Sequence, residues 1–158
     1  MSHIRQKAVE GLQIGDSFSV SRTFTEDDVL RFAEISRDYN PVHFDKRFTG
    51  VKRFQGPICH GLLVASLVTE IGGQIGWLAS GMRFDFKRPV YLGETVTCEL
   101  TIADIDGNGR ARAEAILTNG SGLTVMECVL SGILPGEPEK EVMQAMLAEG
   151  DLTNRASG

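Results

Sequence analysis

A chain of 158 residues is one domain by size, large enough to bury a real core. Hydrophobic residues make up 42% and charged residues 23%, an ordinary soluble composition, and the net charge of −5 argues against a nucleic-acid binder, which needs a basic surface for phosphates. The three cysteines, Cys59, Cys98 and Cys128, are an odd number without CxxC spacing, so they read as reduced, mostly buried thiols of a cytoplasmic protein. The N-terminus lacks the apolar run of a signal peptide, and no stretch approaches the roughly 18 apolar residues of a membrane span.

The first strand is expected at Ser17–Phe24, where apolar and polar side chains alternate. Thr25 then serves as an N-cap, with Glu26, Asp27 and Asp28 in a first turn where the helix dipole favours negative charge. Val29, Phe32, Ala33 and Ile35 are expected to form that helix's buried stripe, and Asn40–Pro41 stops it. From Asp38 to Pro57 the chain is polar and aromatic without a period, as expected of an ordered excursion over a site.

Gly61 to Ile71 is apolar almost all round, which is the pattern of a centrally buried helix. Gly72–Gly73 is expected to end it, with an extension through Trp77 as the alternative. Further strands are expected at Met82–Phe86, Thr95–Ile105, Arg110–Leu117 and Leu123–Leu134. The glycine- and asparagine-rich turns at 106–109 and 119–122 make the last three an antiparallel meander. After Pro135 a short amphipathic helix over Glu137–Glu149 and a frayed tail are expected. The sum is an α+β domain in which a sheet wraps around one apolar helix.

Three histidines exist, so each can be weighed. His3 is expected in a mobile terminus. Asp38 and His43 are five residues apart, a spacing that would separate them on a regular helix. Pro41 breaks that regularity and lets a turn bring carboxylate and imidazole together, the parts needed to activate a water and return a proton. The alternative is a loop in which Asp38 caps amides and His43 packs as a surface ring. His60–Gly61 precedes the apolar helix, where free amides favour negative charge and Gly61 lets a ligand carbonyl approach its N–H. The alternative there is a pair that merely fits a tight helix start. Cys59 beside His60 is not an oriented nucleophile, no spacing resembles a metal motif, and no phosphate-binding glycine motif occurs. Arg83, Lys87 and Arg88 form a basic trio that reads as a solvated strand face sooner than as a ligand site.

The run Ser36-Arg37-Asp38-Tyr39-Asn40-Pro41-Val42-His43-Phe44-Asp45 resembles the hydratase signature of the MaoC-like family, which includes R-specific enoyl-CoA hydratases. Gly56-Pro57-Ile58-Cys59-His60-Gly61-Leu62-Leu63 resembles its second block, and Phe86–Glu94 more weakly its third. The resemblance covers about Gly11 to Leu134. It implies a single hotdog domain over residues 1–135, with 136–158 as a C-terminal extension of no assigned role. It also implies a lyase of fatty acid metabolism that adds water to, or removes it from, an acyl thioester. Asp38 and His43 would be the catalytic pair and the Gly61 amide the oxyanion donor. Asn40 would fix the loop, and a hydroxyl of the central helix, Thr69 or else Ser66, would support the aspartate, with His60 beside the substrate. Either hydroxyl could equally bond its own helix backbone. No metal and no cofactor are implied beyond the coenzyme A or acyl carrier protein of the substrate. The implied assembly is a homodimer, or a higher oligomer built from it, without nucleic-acid or membrane partners.

Two rival functions remain. A hotdog thioesterase would use a helix carboxylate such as Glu70, but it leaves the Asp38–His43 motif unexplained. A non-catalytic acyl-binding subunit would be expected to have lost the Asp or the His, and both are present.

Overall fold

Five strands, β1 (Ser17–Thr23), β2 (Leu78–Phe86), β3 (Thr95–Ile105), β4 (Arg110–Asn119) and β5 (Thr124–Ile133), form one antiparallel sheet in the computed structural model, which describes residues 2–155. The strand order is β1-β3-β4-β5-β2, so β3-β4-β5 is the expected meander and β1 and β2 are the edges. The helices are α1 (His3–Glu10), α2 (Glu26–Ser36), α3 (Lys46–Val51), α4 (Gly61–Ile75) and α5 (Glu137–Ala148).

The alternation in β3 buries Val96, Cys98, Leu100 and Ile102 on one face, and β4 continues that face with Ala113, Ala115 and Leu117. Helix α4 packs against both edge strands as well as β3, so the sheet curls around it. This is the hotdog arrangement. Leu67, Val68, Ile71 and Ile75 of α4 are almost wholly buried. Each such side chain contributes about 1.5–3 kcal/mol relative to exposure, which explains why a helix apolar all round stays at the centre.

Several boundaries differ from the sequence reading. Helix α4 runs through Gly72–Gly73 and ends at Gly76, which takes the left-handed conformation with φ +78°. Two interior glycines cost about 1 kcal/mol each. Outside support offsets this, because the Arg5 guanidinium donates to the carbonyls of Gly73 and Gln74. Strand β2 begins four residues earlier than Met82, as an open edge on which most side chains are exposed, so it carries no alternation to read. Thr25 does cap α2, in a capping box with Asp28. Ile35, however, is 84% exposed: six residues beyond Val29 it lies well round the helix from the stripe of Val29 and Ala33.

The ends of the chain are also better ordered than expected. His3 starts α1, which Ser2 caps and which buries Ile4 and Ala8. Arg5 forms a buried ion pair with Asp151 and bonds Thr153, while the Ser2 amide donates to Asn154. Of the tail expected to fray, residues 151–154 are therefore clasped onto α1, and 156–158 lie outside the described residues. All three cysteines are free and buried. No helix among the described residues is long and apolar enough to cross a membrane.

Candidate active site

The excursion between α2 and α4 folds through a ladder of short polar bonds. Arg37 leaves α2 in the left-handed conformation, with φ +62°. Ser36 Oγ then accepts from the Asp38 amide, Asp38 Oδ1 from the Asn40 amide, and Asn40 Oδ1 from the Val42 amide, each at 3.1–3.2 Å. Asn40 thereby caps a single 3-10 turn, Pro41–His43, whose proline fixes the backbone at its start. Helix α3 follows, capped by Asp45; the sequence carried no periodic signal for it.

This ladder uses one oxygen of Asp38 and leaves Oδ2 facing His43 Nε2 at 3.6 Å. His43 is 8% exposed, and its Nδ1–H donates to the Ile58 carbonyl at 2.7 Å. A carbonyl only accepts, so Nδ1 carries the proton and Nε2 of the neutral ring presents a lone pair. Two acceptors 3.6 Å apart fit a donor between them, and a water molecule has two protons to give.

His60 and Gly61 open α4 as the sequence reading required. His60 is the N-cap residue but makes no side-chain cap bond, so the first amides of the helix, Gly61 among them, have no partner from it. Its ring turns to the excursion instead, with Nε2–H donating to the Asp38 carbonyl at 2.9 Å. The ring stacks on His43 with centroids 3.7 Å apart and planes 29° apart. Burial pushes His60 below the ordinary imidazole value, although the bond to the Asp38 backbone pulls the other way. One ligand atom each from Asp38, His43 and His60 lie within 4.8 Å of one another. Two stacked imidazoles, however, do not aim their in-plane lone pairs at one cation, so the trio suits a bridged proton donor better than a metal.

A cavity of about 710 Å³ opens onto this group. Asp38, His43, His60 and Gly61 lie on its polar side together with Ser36, Lys87 and Arg88, and its apolar walls include Phe32, Phe54, Ile58, Val64, Phe86 and Met126. Phe86, from β2, stands directly over Gly61: a Cβ added to the glycine would lie 2.5 Å from Phe86 Cε1. No residue but glycine fits there with the ring in place. Burial pushes the Cys59 thiol up to about 12, which leaves it a small apolar wall group and not a nucleophile.

Two readings left open by the sequence are resolved here. The hydroxyls of Thr69 and Ser66 donate to the carbonyls of Ser66 and Leu63 in their own helix, and neither residue lines the cavity. Support for Asp38 comes instead from Ser36, Asn40 and His60. Of the basic trio, exposed Arg83 pairs with Asp85, but Lys87 and Arg88 both line the cavity. Glu70 does not line it. Sequence reasoning missed Phe86 and Phe32 as site walls, and also the Ile58 carbonyl, which no residue type can signal.

The hotdog fold, with the Asp38–His43 pair beside the start of its central helix, places the chain in the class of MaoC-like hydratases and dehydratases. The MaoC like domain profile matches residues 12–121, and the chain belongs to that family. It is 33% identical over 124 residues to the (R)-specific enoyl-CoA hydratase of Aeromonas caviae, covering 75% of this chain and 92% of that protein. It is 29% identical over 147 residues to the 3-hydroxybutyryl-CoA dehydratase of Methylorubrum extorquens, covering 89% and 90%. The solved structure of the A. caviae (R)-hydratase involved in PHA biosynthesis superposes with a TM-score of 0.75 at 30% identity, covering 80% of this chain and 99% of that one.

Proposed function

We propose that the protein interconverts 2-enoyl and (R)-3-hydroxyacyl thioesters by adding or removing water, as a lyase of the hydratase/dehydratase class. The observation that carries this reading is the 3.6 Å juxtaposition of Asp38 Oδ2 with the His43 Nε2 lone pair, in one cavity with the Gly61 amide. In the hydration direction the carboxylate and imidazole accept the two protons of a water, orienting its oxygen at the β-carbon. As the C–O bond forms, electron density moves through the α-carbon onto the thioester oxygen, which the Gly61 N–H stabilises. The pair takes one proton from the water and returns one to the α-carbon, so the net addition is H and OH. Dehydration runs the same steps backwards.

The apolar walls suit the acyl chain, and coenzyme A and acyl carrier protein would present the same thioester to the polar wall. The working unit is inferred to be a homodimer in the cytoplasm. Strand β2 supports the first point, because its outer edge is unpaired among the described residues and it exposes Leu78, Met82 and Phe86. Three buried free thiols support the second.

The test is to mix the protein with crotonyl-CoA and follow loss of the conjugated-enoyl absorbance, with a thiol reagent in parallel. Hydration without thiol release supports the reading. Thiol release without hydration favours the thioesterase, and hydration that survives in both Asp38→Asn and His43→Gln overturns the mechanism.

A further inference from the structure

The stretch 58–60 and the excursion 38–43 are joined by reciprocal bonds. His43, on the excursion, donates through Nδ1–H to the Ile58 carbonyl. His60, beside Ile58, donates through Nε2–H back to the Asp38 carbonyl. Between them the Ile58 amide donates to the Val42 carbonyl at 3.1 Å. Each imidazole therefore grips the backbone of the other segment, and the two rings lie face to face at 3.7 Å. Phe32 of α2 packs against His60 at 4.9 Å.

We propose that His60 is a positioning residue of this site: its Nε2–H and ring face set the Asp38–His43 pair in register with the Gly61 amide that follows it in the chain. The proposal rests on the hydratase reading and adds a role to it. His60 is 2% exposed, and its Nδ1 is buried with no hydrogen-bond partner among the described residues. A residue present only to fill this volume would carry no unsatisfied nitrogen, since leaving one buried is unfavourable. What histidine adds over phenylalanine is a single N–H donor on a flat ring, and that donor meets Asp38. What it adds over serine or asparagine, the preferred residues at a helix N-cap, is that its side chain leaves the first-turn amides of α4 open.

The arrangement also explains how the pair can move protons without the support joining in. The titratable groups in contact with His60 are His43 and Asp38, and burial favours its neutral form. With Nε2 protonated and its remaining lone pair shut away from the cavity, His60 offers the bridging water no competing acceptor. Because His60 and Gly61 are consecutive, the acid–base pair and the oxyanion donor are linked through one peptide unit. Loosening that link misplaces both ends of the thioester at once.

Two variants separate the two contacts. His60→Phe keeps the stacking plate and loses the donor, whereas His60→Gln keeps a donor and loses the plate. Each is expected to lower kcat for crotonyl-CoA by about 10²-fold, as misplacement by roughly 1 Å does, with KM changed far less. Independently of any activity, nitrogen-15 spectra of the substrate-free wild type at neutral pH are expected to show His60 as the Nε2–H tautomer and His43 as the Nδ1–H tautomer. In both variants the His43 pattern is expected to average between tautomers. Wild-type kcat in either variant, or a His60 that is protonated or Nδ1–H in the spectra, overturns the proposal. If the wild type hydrates no enoyl thioester, the hydratase reading fails while the spectra still decide whether His60 holds the pair.

Discussion

His43 Nδ1–H and the Ile58 carbonyl meet at 2.7 Å, and that bond determines which nitrogen of His43 faces Asp38. The side chain of Ile58 is only cavity wall, yet its backbone oxygen fixes the tautomer that His43 presents to Asp38.

Removing either partner should therefore cost as much as removing both. In the proposed mechanism the two groups hold one water, so Asp38→Asn and His43→Gln are each expected to lower kcat by about 10²–10⁴-fold, and the double variant little further. Steady-state rates of all three, on the same thioester, check this.

Gly61→Ala brings a methyl into the space of the Phe86 ring. Phe86 is 58% exposed and can swing away, so the fold is expected to survive while the displaced ring blocks the carbonyl from the amide. A loss of about 10²–10³ in rate is expected, the size of one missing oxyanion donor. Phe86→Ala in the same chain should restore part of it.

Among these groups of the site and its surroundings, His60 should make the fold sensitive to mild acid. Its native-state value lies below the ordinary 6.5, so the unfolded chain binds the proton more readily. The sign follows: this contribution is complete above 6.5 and is lost as the pH falls below it. Asp45, held low by Arg47, and Asp151, held low by Thr153, lose theirs only below the ordinary carboxylate value of 3.8. Urea midpoints at about pH 7.5 and about pH 5.5 should differ in the wild type and converge in His60→Phe.

The thiols should be silent. Burial pushes Cys59 and Cys98 up to about 12 and Cys128 to about 11. A disulfide exchange reagent at about pH 8 should therefore label no cysteine in the folded protein and all three in denaturant, since only exposed thiolates react.

At the other pole of the molecule, Arg5→Ala should lower Tm by on the order of 5 °C with no change in kcat. It removes the donor to the last carbonyls of α4 and the clasp on the C-terminal segment. A melting curve beside a rate measurement distinguishes this from damage to the site.

Much of this was readable beforehand, for identifiable reasons. Strand β3 matched its expected bounds because its alternation is strict, and α4 was unmistakable because an apolar run that long has nowhere to go but the centre. The Asp38–His43 approach was one of two open readings, since Pro41 permits a turn that joins them without dictating it. Strand β2 was half hidden because an open edge needs no buried face. Helix α3, at six residues, is too short to show a period, and α1 gave no sign because what secures it is Arg5 reaching Asp151, a contact across nearly the whole chain. Asp38 is supported by Ser36, Asn40 and His60 and not by a hydroxyl of α4. Composition cannot tell a helix threonine that looks outward from one that bonds the carbonyl a turn back, as Thr69 does.

The cavity divides its labour by origin. The Asp38–His43 pair and the Gly61 amide come from two neighbouring stretches of chain, 38–43 and 60–61, while Phe86, Val125 and Met126 of the lining are lent by the sheet. Phe86 of β2 stands over the Gly61 position, so it is Val125 and Met126 of β5 that offer wall side chains to vary without touching that amide. A scaffold so arranged can change its diet while keeping its chemistry.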